Sequence, residues 1–555
     1  MNILFALVVV LGAVYATSLL VWHILRRVLV AKHIGTANLR LLQQGRAAHD
    51  KIPGTAVICG GGMAGLLTAR ICHEHFERVL VIEAEAWLST DNARRVDGWK
   101  LLRETRARLM QWNSFHAVQP YLFLGLKHLF PNVVEEAERS QLKVVPAFPF
   151  FSVSGALWRR PQKPGGLPAT IYASRHAFET FVRRLVLDRE AYPNITIRPG
   201  TVTDVVPDLT DPTKLSQIVF RNDAGTVETV DAALVADCTG PARAGLKWLA
   251  RHGYGTPPTA ASGAPCPPSA LPLDELKIAL NQKLHYSSIT YTAPDAAFMA
   301  RFEALLPDAY KGDAPVITFL EDNTEATMAT GEGVPDFCAF AGHTGEVRFQ
   351  PTNIEQLRQY ARSLYEVEPI PDFFWKVLDL LEEIEETAVV SLLRVPPTSY
   401  VRYSRAMNMP SNFVALGDSV MAVNPVFGEG CTKALRCAMA LHTELLRASK
   451  TSGRSLPPTF GKGFFEEEKD KTEWLWDNTR LFDYGAPTTE PIPGESLSDG
   501  AALRWYITWL HRAAASDDHA ALVVYDSVTG FASPIDALHP HLVAKVLWRG
   551  LVVGA

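Results

Sequence analysis

Three glycines and one acid are the residues best placed to do chemistry. Gly60, Gly62 and Gly65 follow a short β-branched run, Ala56 to Cys59, within TAVICGGGMAGLLTARICHEHFERVLVIEAEA. Such a run reads as a buried parallel strand. Gly60 permits a tight turn, Gly62 lets the backbone approach a pyrophosphate, and Gly65 lets the next helix pack against the strand. That helix starts near Met63 and Ala64, so its first amides point at the phosphates. A second apolar strand, Val79 to Ile82, ends in Glu83, eighteen residues past Gly65. A carboxylate there can accept hydrogen bonds from both ribose hydroxyls. Strand, triplet, helix, strand and acid in this order make a dinucleotide site, without separating NAD from FAD.

A second set of chemical residues lies far downstream. Phe413 to Leu416 reads as a strand, Gly417-Asp418 follows, and a loop Pro425-x-x-Gly428-x-Gly430 opens a long helix. This segment resembles the flavin-ribityl motif of the FAD-dependent monooxygenases related to p-hydroxybenzoate hydroxylase and squalene epoxidase. The resemblance implies that Asp418 binds the ribityl chain and that Pro425, Gly428 and Gly430 line the pyrimidine side of the flavin. The physics agrees, because a helix N-terminus stabilises the negative charge of a reduced flavin. Ser174-Arg175-x-x-Phe178-Glu179 is similar to that family's Arg-x-x-Leu-Glu helix, which implies that Arg175 lies near the FAD pyrophosphate. Asp237-Cys238-Thr239-Gly240, closing a strand from Ala233 to Ala236, resembles the Asp-Ala-Thr-Gly turn of the same fold. Gln111-x-x-Ser-Phe-His116, the apolar stretch ending at Phe130-Pro131, Asp483-Tyr484 and the run from Trp505 to Leu551 look like the polyketide and polyene epoxidase-like subgroup. The likeness covers most of the chain beyond residue 50.

Some positions depart from that pattern. The Asp-Gly-x-x-Ser-x-x-Arg of aromatic hydroxylases corresponds here to the Asp237 turn, which lacks Asp-Gly and continues as Pro241-Ala242-Arg243. Gly-Asp-Ser-Val-Met replaces Gly-Asp-Ala-Ala-His, and Glu429 stands between the loop glycines. Direct reduction by bound NADPH is therefore not implied. NAD(P)H is the expected electron donor, and a partner reductase could deliver its electrons.

The elements that position these residues can be sketched. Ile3 to Trp22 is a charge-free run of twenty residues, enough for a helix to span about 30 Å of hydrocarbon. Its uninterrupted length and the flanking Arg26, Arg27 and Lys32 favour a single-pass anchor over a cleaved signal. The basic flank places the remaining chain on the cytosolic side, at the endoplasmic reticulum in a eukaryote. Asn194-Ile-Thr196 is then an unused glycosylation sequon. The expected organisation is a transmembrane anchor over 1–30 and a short polar stalk over 31–52. An α/β, Rossmann-like FAD-binding domain is assembled from 53–245 and 405–450, a mixed-sheet substrate domain occupies 246–404, and a helical C-terminal region fills 451–555. Tyr286 to Thr292, Pro315 to Leu320 and Val389 to Leu393 have strand-like composition, while Thr256 to Leu273 and Gly485 to Gly494 read as connections. Leu503 to Leu510 reads as a core-packed helix rather than a second membrane contact.

Charge and cysteines narrow the classes. A formal net charge of −5 without a long basic run argues against nucleic acid as a partner. Seven cysteines without CxxC or zinc-ligand spacing read as reduced thiols, and no metal site is expected. In flavin monooxygenases the cofactor does the hard chemistry, by way of a C4a-hydroperoxide, so no catalytic triad is required. No catalytic residue is assigned; Gln111, His116, Arg402 and Tyr403 are candidate pocket residues. A membrane anchor on such an enzyme suggests a lipophilic small molecule from secondary metabolism, a terpenoid, polyketide or prenylated phenol, that is epoxidised or hydroxylated. Two rivals share the fold: an FAD-dependent reductase or dehydrogenase, resembling geranylgeranyl reductases, and a non-catalytic binding protein, like the GDP-dissociation inhibitors.

Overall fold

The computed structural model describes residues 3–553 apart from 102–105, 107, 110, 115, 117, 148–149, 155, 257–268, 309–315, 322–323, 332–335, 346–348 and 365–368. Phe115, Pro315 and most of the Thr256–Leu273 connection thus lie outside the described residues.

A seven-stranded sheet forms the centre. Its order is Phe413–Ala415, Leu234–Asp237, Ile52–Cys59, Phe76–Glu83, Ile195–Pro207, Leu215–Asn222 and Val227–Asp231. The first five strands run parallel, and the last two are added antiparallel. The central parallel strands carry buried apolar runs because helices cover the sheet, as Ala56 to Cys59 and Val79 to Ile82 show. The helix Met63–His73 packs on Phe76–Glu83 and on the long helix Gly430–Ser452, and most of this core belongs to one apolar cluster. The expected strands at Ala56 and Val79 fall within this sheet, and those expected over Ala233 to Ala236 and Phe413 to Leu416 appear as Leu234–Asp237 and Phe413–Ala415.

A second seven-stranded sheet has the order Val389–Arg394, Leu284–Thr292, Asp336–Thr344, Thr324–Gly331, Val316–Glu321, Phe150–Val153 and Ala156–Leu157. It is mixed: Val316–Glu321 pairs parallel with Phe150–Val153, and the other pairs are antiparallel. Its last two strands come from within 53–245, so it does not close within 246–404. Phe150–Val153 and Ala156–Leu157 pair with each other, and Phe150–Val153 joins the sheet through Val316–Glu321, a partner distant in sequence. Helices Ala296–Leu305, Ile354–Arg362 and Asp372–Glu382 share an apolar core with this sheet. A small sheet of Lys277–Leu280, Thr398–Val401 and Met421–Ala422 links it to the Gly417 turn.

The N-terminal helix Ile3–His33 contains a window with mean hydropathy of 2.2 that is 0% buried, long and apolar enough to cross a membrane. The expected stalk is part of the folded body. Ile34, Leu39 and Leu42 are at most 1% exposed and join the main core, and the Leu41 carbonyl lies 2.7 Å from His442 Nε2. Three apolar side chains in a polar stretch suffice to dock it. The Asn194 amide bonds the Phe76 carbonyl at 2.8 Å, a structural task for the sequon residue. Beyond residue 450, Phe460–Asp483 packs along Gly430–Ser452, and Ala501–Ala513 buries Tyr506 and Leu510.

Candidate active site

Strand register gathers the chemical residues. Cys59 pairs with Asp237 on one side and Ile82 on the other, and Asp237 pairs with Ala415. The turns after these four strands therefore open at the same end of the sheet, where open α/β sheets bind ligands.

The glycines in those turns have different duties. Gly60 has φ +114°, and a Cβ there would stand 2.4 Å from the Cys238 carbonyl oxygen. At Gly65 a Cβ would lie 1.8 Å from the Gly60 oxygen, so helix and turn touch directly. Gly62, the residue before the Met63 helix, has nothing within 4 Å of a Cβ, and the same holds for Gly430. Gly417, with φ +67°, lies against Ala64, since a Cβ at Gly417 would stand 2.6 Å from the Ala64 Cβ. The two glycine segments, far apart in sequence, are thus in contact.

Polar groups tie the turns together. Asp237 accepts from Thr239 N at 2.9 Å, Ser419 Oγ at 3.1 Å and Gly245 N at 2.9 Å, while Gly240 N donates to Ser419 Oγ at 3.0 Å. Glu83 is buried and accepts from Gly61 N at 2.7 Å and Glu85 N at 2.8 Å. A carboxylate offers about four acceptor positions, so two amides do not saturate it. Asp418 keeps 45% of its side chain exposed and is held by the buried ammonium of Lys433 at 2.6 Å.

A buried ion cluster flanks this end. Arg175 donates to Glu179 at 3.2 Å and to Cys431 Sγ at 3.0 Å, so it reaches the first turn of the Gly430 helix. Arg183 donates to Glu179 at 2.7 Å, and Arg106 bridges Glu179 to Glu85, the latter at 2.6 Å. Burial alone would raise the Glu179 carboxyl, but Arg106, Arg175 and Arg183 outweigh it and hold it at about 2. His116 sits beside this cluster. Burial, and then the Arg175 charge, pushes its imidazole down to about 3, so it is neutral.

Gln111 and Ser114 hydrogen-bond the Tyr286 phenol, at the junction with the second sheet. Burial pushes that phenol up to about 12, so it keeps its proton across the neutral range. Arg402 and Tyr403 have other roles. Arg402 donates to the carbonyls of Leu276 at 3.1 Å and Glu275 at 2.9 Å, and Tyr403 is buried with its ring stacked 4.8 Å from Phe465. Sequence reasoning missed Arg106, Lys433 and Tyr286. Lys433 stands in the first turn of the helix that the Gly430 loop opens, but spacing alone does not say that its ammonium returns to Asp418.

The Pro425–Gly430 loop has its own brace. Asn424 accepts from Val426 N at 3.0 Å and donates to Asp483 Oδ1 at 2.7 Å. Burial raises the Asp483 carboxyl from 3.8 to about 7. A raised folded-state value means that its stabilisation is full below pH 3.8 and is lost as pH rises through about 7. Asp483→Asn keeps the neutral shape without titrating. Its stability relative to wild type should therefore improve by about 3 kcal/mol between about pH 5 and about pH 8. A gap independent of pH in thermal melts would rule out a buried neutral acid.

No protein-family model and no curated protein sequence matches this chain. Solved structures do match. The flavin-dependent brominase Bmp2 superposes with a TM-score of 0.55 over 89% of this chain and 98% of its own, at 11% identity. A flavoprotein/dehydrogenase from Cytophaga hutchinsonii gives 0.53 over 90% and 99%, at 12% identity. The p-nitrophenol 4-monooxygenase PnpA from Pseudomonas putida DLL-E4 gives 0.50 over 87% and 99%, at 15% identity. At such identities the likeness is one of architecture. The chain has the fold shared by a flavin-dependent brominase, a flavoprotein/dehydrogenase and a monooxygenase.

Proposed function

We propose that this protein is a membrane-anchored, FAD-dependent monooxygenase that epoxidises or hydroxylates a lipophilic small molecule. The observation that carries the reading is the meeting of Gly60–Gly65, Asp237–Gly240 and Gly417–Gly430 at one end of the parallel sheet. The residues present fit the cofactor. Gly62 and the Met63 helix leave open backbone for a pyrophosphate, with the Arg175 guanidinium as the nearby cation. Glu83 has acceptor capacity left for a ribose, and the half-exposed Asp418, fixed by Lys433, suits the ribityl chain. Pro425, Gly428 and the open start of the Gly430 helix would lie along the flavin, where a helix N-terminus favours negative charge.

Bound FAD supplies the electron and oxygen chemistry. The chain's own part is to position substrate, exclude water and hold protons. Tyr286 stays a phenol that can donate a hydrogen bond at the junction of the sheets, with Gln111 and Ser114 orienting it. Neutral His116 can accept or donate without adding a standing charge beside Arg175. NAD(P)H, directly or through a partner reductase, is the electron source in this reading.

Two experiments test it. Glu83→Ala should weaken FAD binding by about 2 kcal/mol, the value of a hydrogen-bond acceptor of full charge, with the fold unchanged. Flavin occupancy equal to wild type would remove Glu83 from the site. Turnover of a panel of lipophilic alkenes and phenols under 18O-labelled O2 should put one labelled oxygen into the product. An unlabelled product two hydrogens heavier, formed equally without O2, would make the protein a reductase. Chloride and bromide belong in the assay, because a halogenated product would align the chemistry with the brominase of the same fold. A colourless protein that takes up no flavin would leave a binding protein.

A further inference from the structure

The N-terminal helix is not a free tether. Trp22, at the end of the charge-free run, donates its indole N–H to the Ile535 carbonyl at 2.8 Å, and its ring meets His539 edge-on at 4.5 Å. One turn later Arg26 pairs with Asp536, and the Arg436 guanidinium bonds the His33 carbonyl at 2.8 Å. The place where this helix ends its apolar run is therefore fixed against the last helices of the chain.

Those helices carry an apolar face with no protein on it. The helix Pro540–Trp548 begins at the Trp22 contact and continues as a wide turn, Arg549–Val553. Leu547, Trp548, Leu551 and Val552 are 41%, 66%, 65% and 54% exposed, and Leu538 just before them is 43% exposed. Trp505 packs against Gly550 and borders the same face. Among the described residues outside the N-terminal helix, seven of the eleven exposed large apolar side chains lie beyond residue 500. The patch is therefore a concentration, not the scatter normal for a soluble surface. At 1.5 Å per residue, Trp548 stands no more than about 14 Å along its helix from His539. Lys545, paired with Asp517, and Arg549, bonded to Ser516 Oγ at 2.9 Å, add cations beside the exposed tryptophan. Tryptophan with Lys and Arg at one depth is the composition of a membrane–water boundary.

We propose that this C-terminal face sinks into the headgroup–acyl boundary of the same bilayer, as a second contact beside the span. The inference rests on reading Ile3–His33 as the span. Two contacts at separate points fix the tilt of the folded body, which one helix crossing the bilayer would not do.

The test uses the full chain reconstituted in phosphatidylcholine–phosphatidylserine vesicles whose acyl chains carry bromine near the headgroup. The difference in fluorescence between wild type and Trp548→Phe isolates the Trp548 emission, and carbonate extraction reports the span. The expected result is that bromine removes most of the Trp548 emission and that carbonate leaves the protein in the vesicles. An unquenched Trp548 in carbonate-resistant protein overturns the second contact while the span stands, whether the face meets water or a second copy. Carbonate release with Trp548 still quenched overturns the span and keeps the boundary contact. Release together with an unquenched Trp548 overturns both.

Discussion

Gly65→Ala is expected to leave little folded protein. The new methyl would lie 1.8 Å from the Gly60 oxygen and 2.9 Å from its carbonyl carbon, whereas carbon atoms pack at about 3.5–4.0 Å. Neither obstacle is a side chain that can swing away. The Gly60 turn is pinned by its own N–H to the Ile82 carbonyl at 2.9 Å and is closed on the other side by Cys238. The Met63 helix would have to lift, taking the fully buried Leu66, Leu67 and Ile71 with it. Overpacking a core costs about 1–3 kcal/mol when side chains absorb it, and a backbone clash exceeds that range. Against a total stability of about 5–15 kcal/mol, the soluble yield should collapse or the melting temperature fall by about 10 °C. Gly62→Val is the contrasting variant. Its Cβ meets nothing within 4 Å and its φ of −76° suits any residue, so the apoprotein should melt like wild type. Only flavin retention, read as the visible absorbance of the purified protein, should fall. Wild-type stability in Gly65→Ala would mean that helix and turn are not in contact. Undiminished flavin in Gly62→Val would mean that the open backbone is not the pyrophosphate approach.

That contrast shows which parts of the fold were legible in the sequence. Gly60, Gly62 and Gly65 act on a turn and the helix that follows within a few residues, so spacing alone separates their duties. Strands at Val79 and Phe413 are readable because burial on both faces leaves an unbroken apolar run, and the helix at Ile3 is readable from a run of the same kind. The second sheet is expected within 246–404, yet it also takes in the hairpin Phe150–Val153 and Ala156–Leu157, because the pairing of Phe150–Val153 with Val316–Glu321, distant in sequence, leaves no local mark. The docking of residues 34–42 leaves little mark in the sequence for a related reason. Ile34, Leu39 and Leu42 are a minority in a polar stretch, and it is packing near the helices Pro120–Leu129 and Gly430–Ser452, distant in sequence, that makes their positions into core. Charged residues were the least legible. Arg402 and Arg106 look alike in sequence, but the first closes two carbonyls at a strand end and the second bridges the buried Glu179 and the partly buried Glu85.

Glu179→Gln should be the most damaging change among the charged residues at this site. Glu179 is 1% exposed and is shared by Arg106, Arg175 and Arg183. Arg106 would keep Glu85, and Arg175 would keep Cys431, but Arg183 is itself 0% exposed and one of its terminal nitrogens already lacks a partner. Removing the carboxylate strands buried positive charge, at a cost of about 3–5 kcal/mol. Glutamine keeps the shape, so the loss measures charge rather than packing. Arg183→Met should rescue part of the loss in the double variant, because the two sites are directly coupled. The pH dependence has a definite sign. The folded-state value is depressed from 4.5 to about 2, so the stabilisation is present above 4.5 and is lost as pH falls through about 2. The gap between wild type and Glu179→Gln should therefore be constant at neutral pH and narrow as the solution is acidified below about pH 4. Added FAD gives the decisive comparison. A pyrophosphate beside Arg175 would return negative charge to the cluster, so FAD should raise the melting temperature of Glu179→Gln more than that of wild type. An equal shift in both proteins would place the pyrophosphate away from Arg175 and leave the cluster as a purely structural brace.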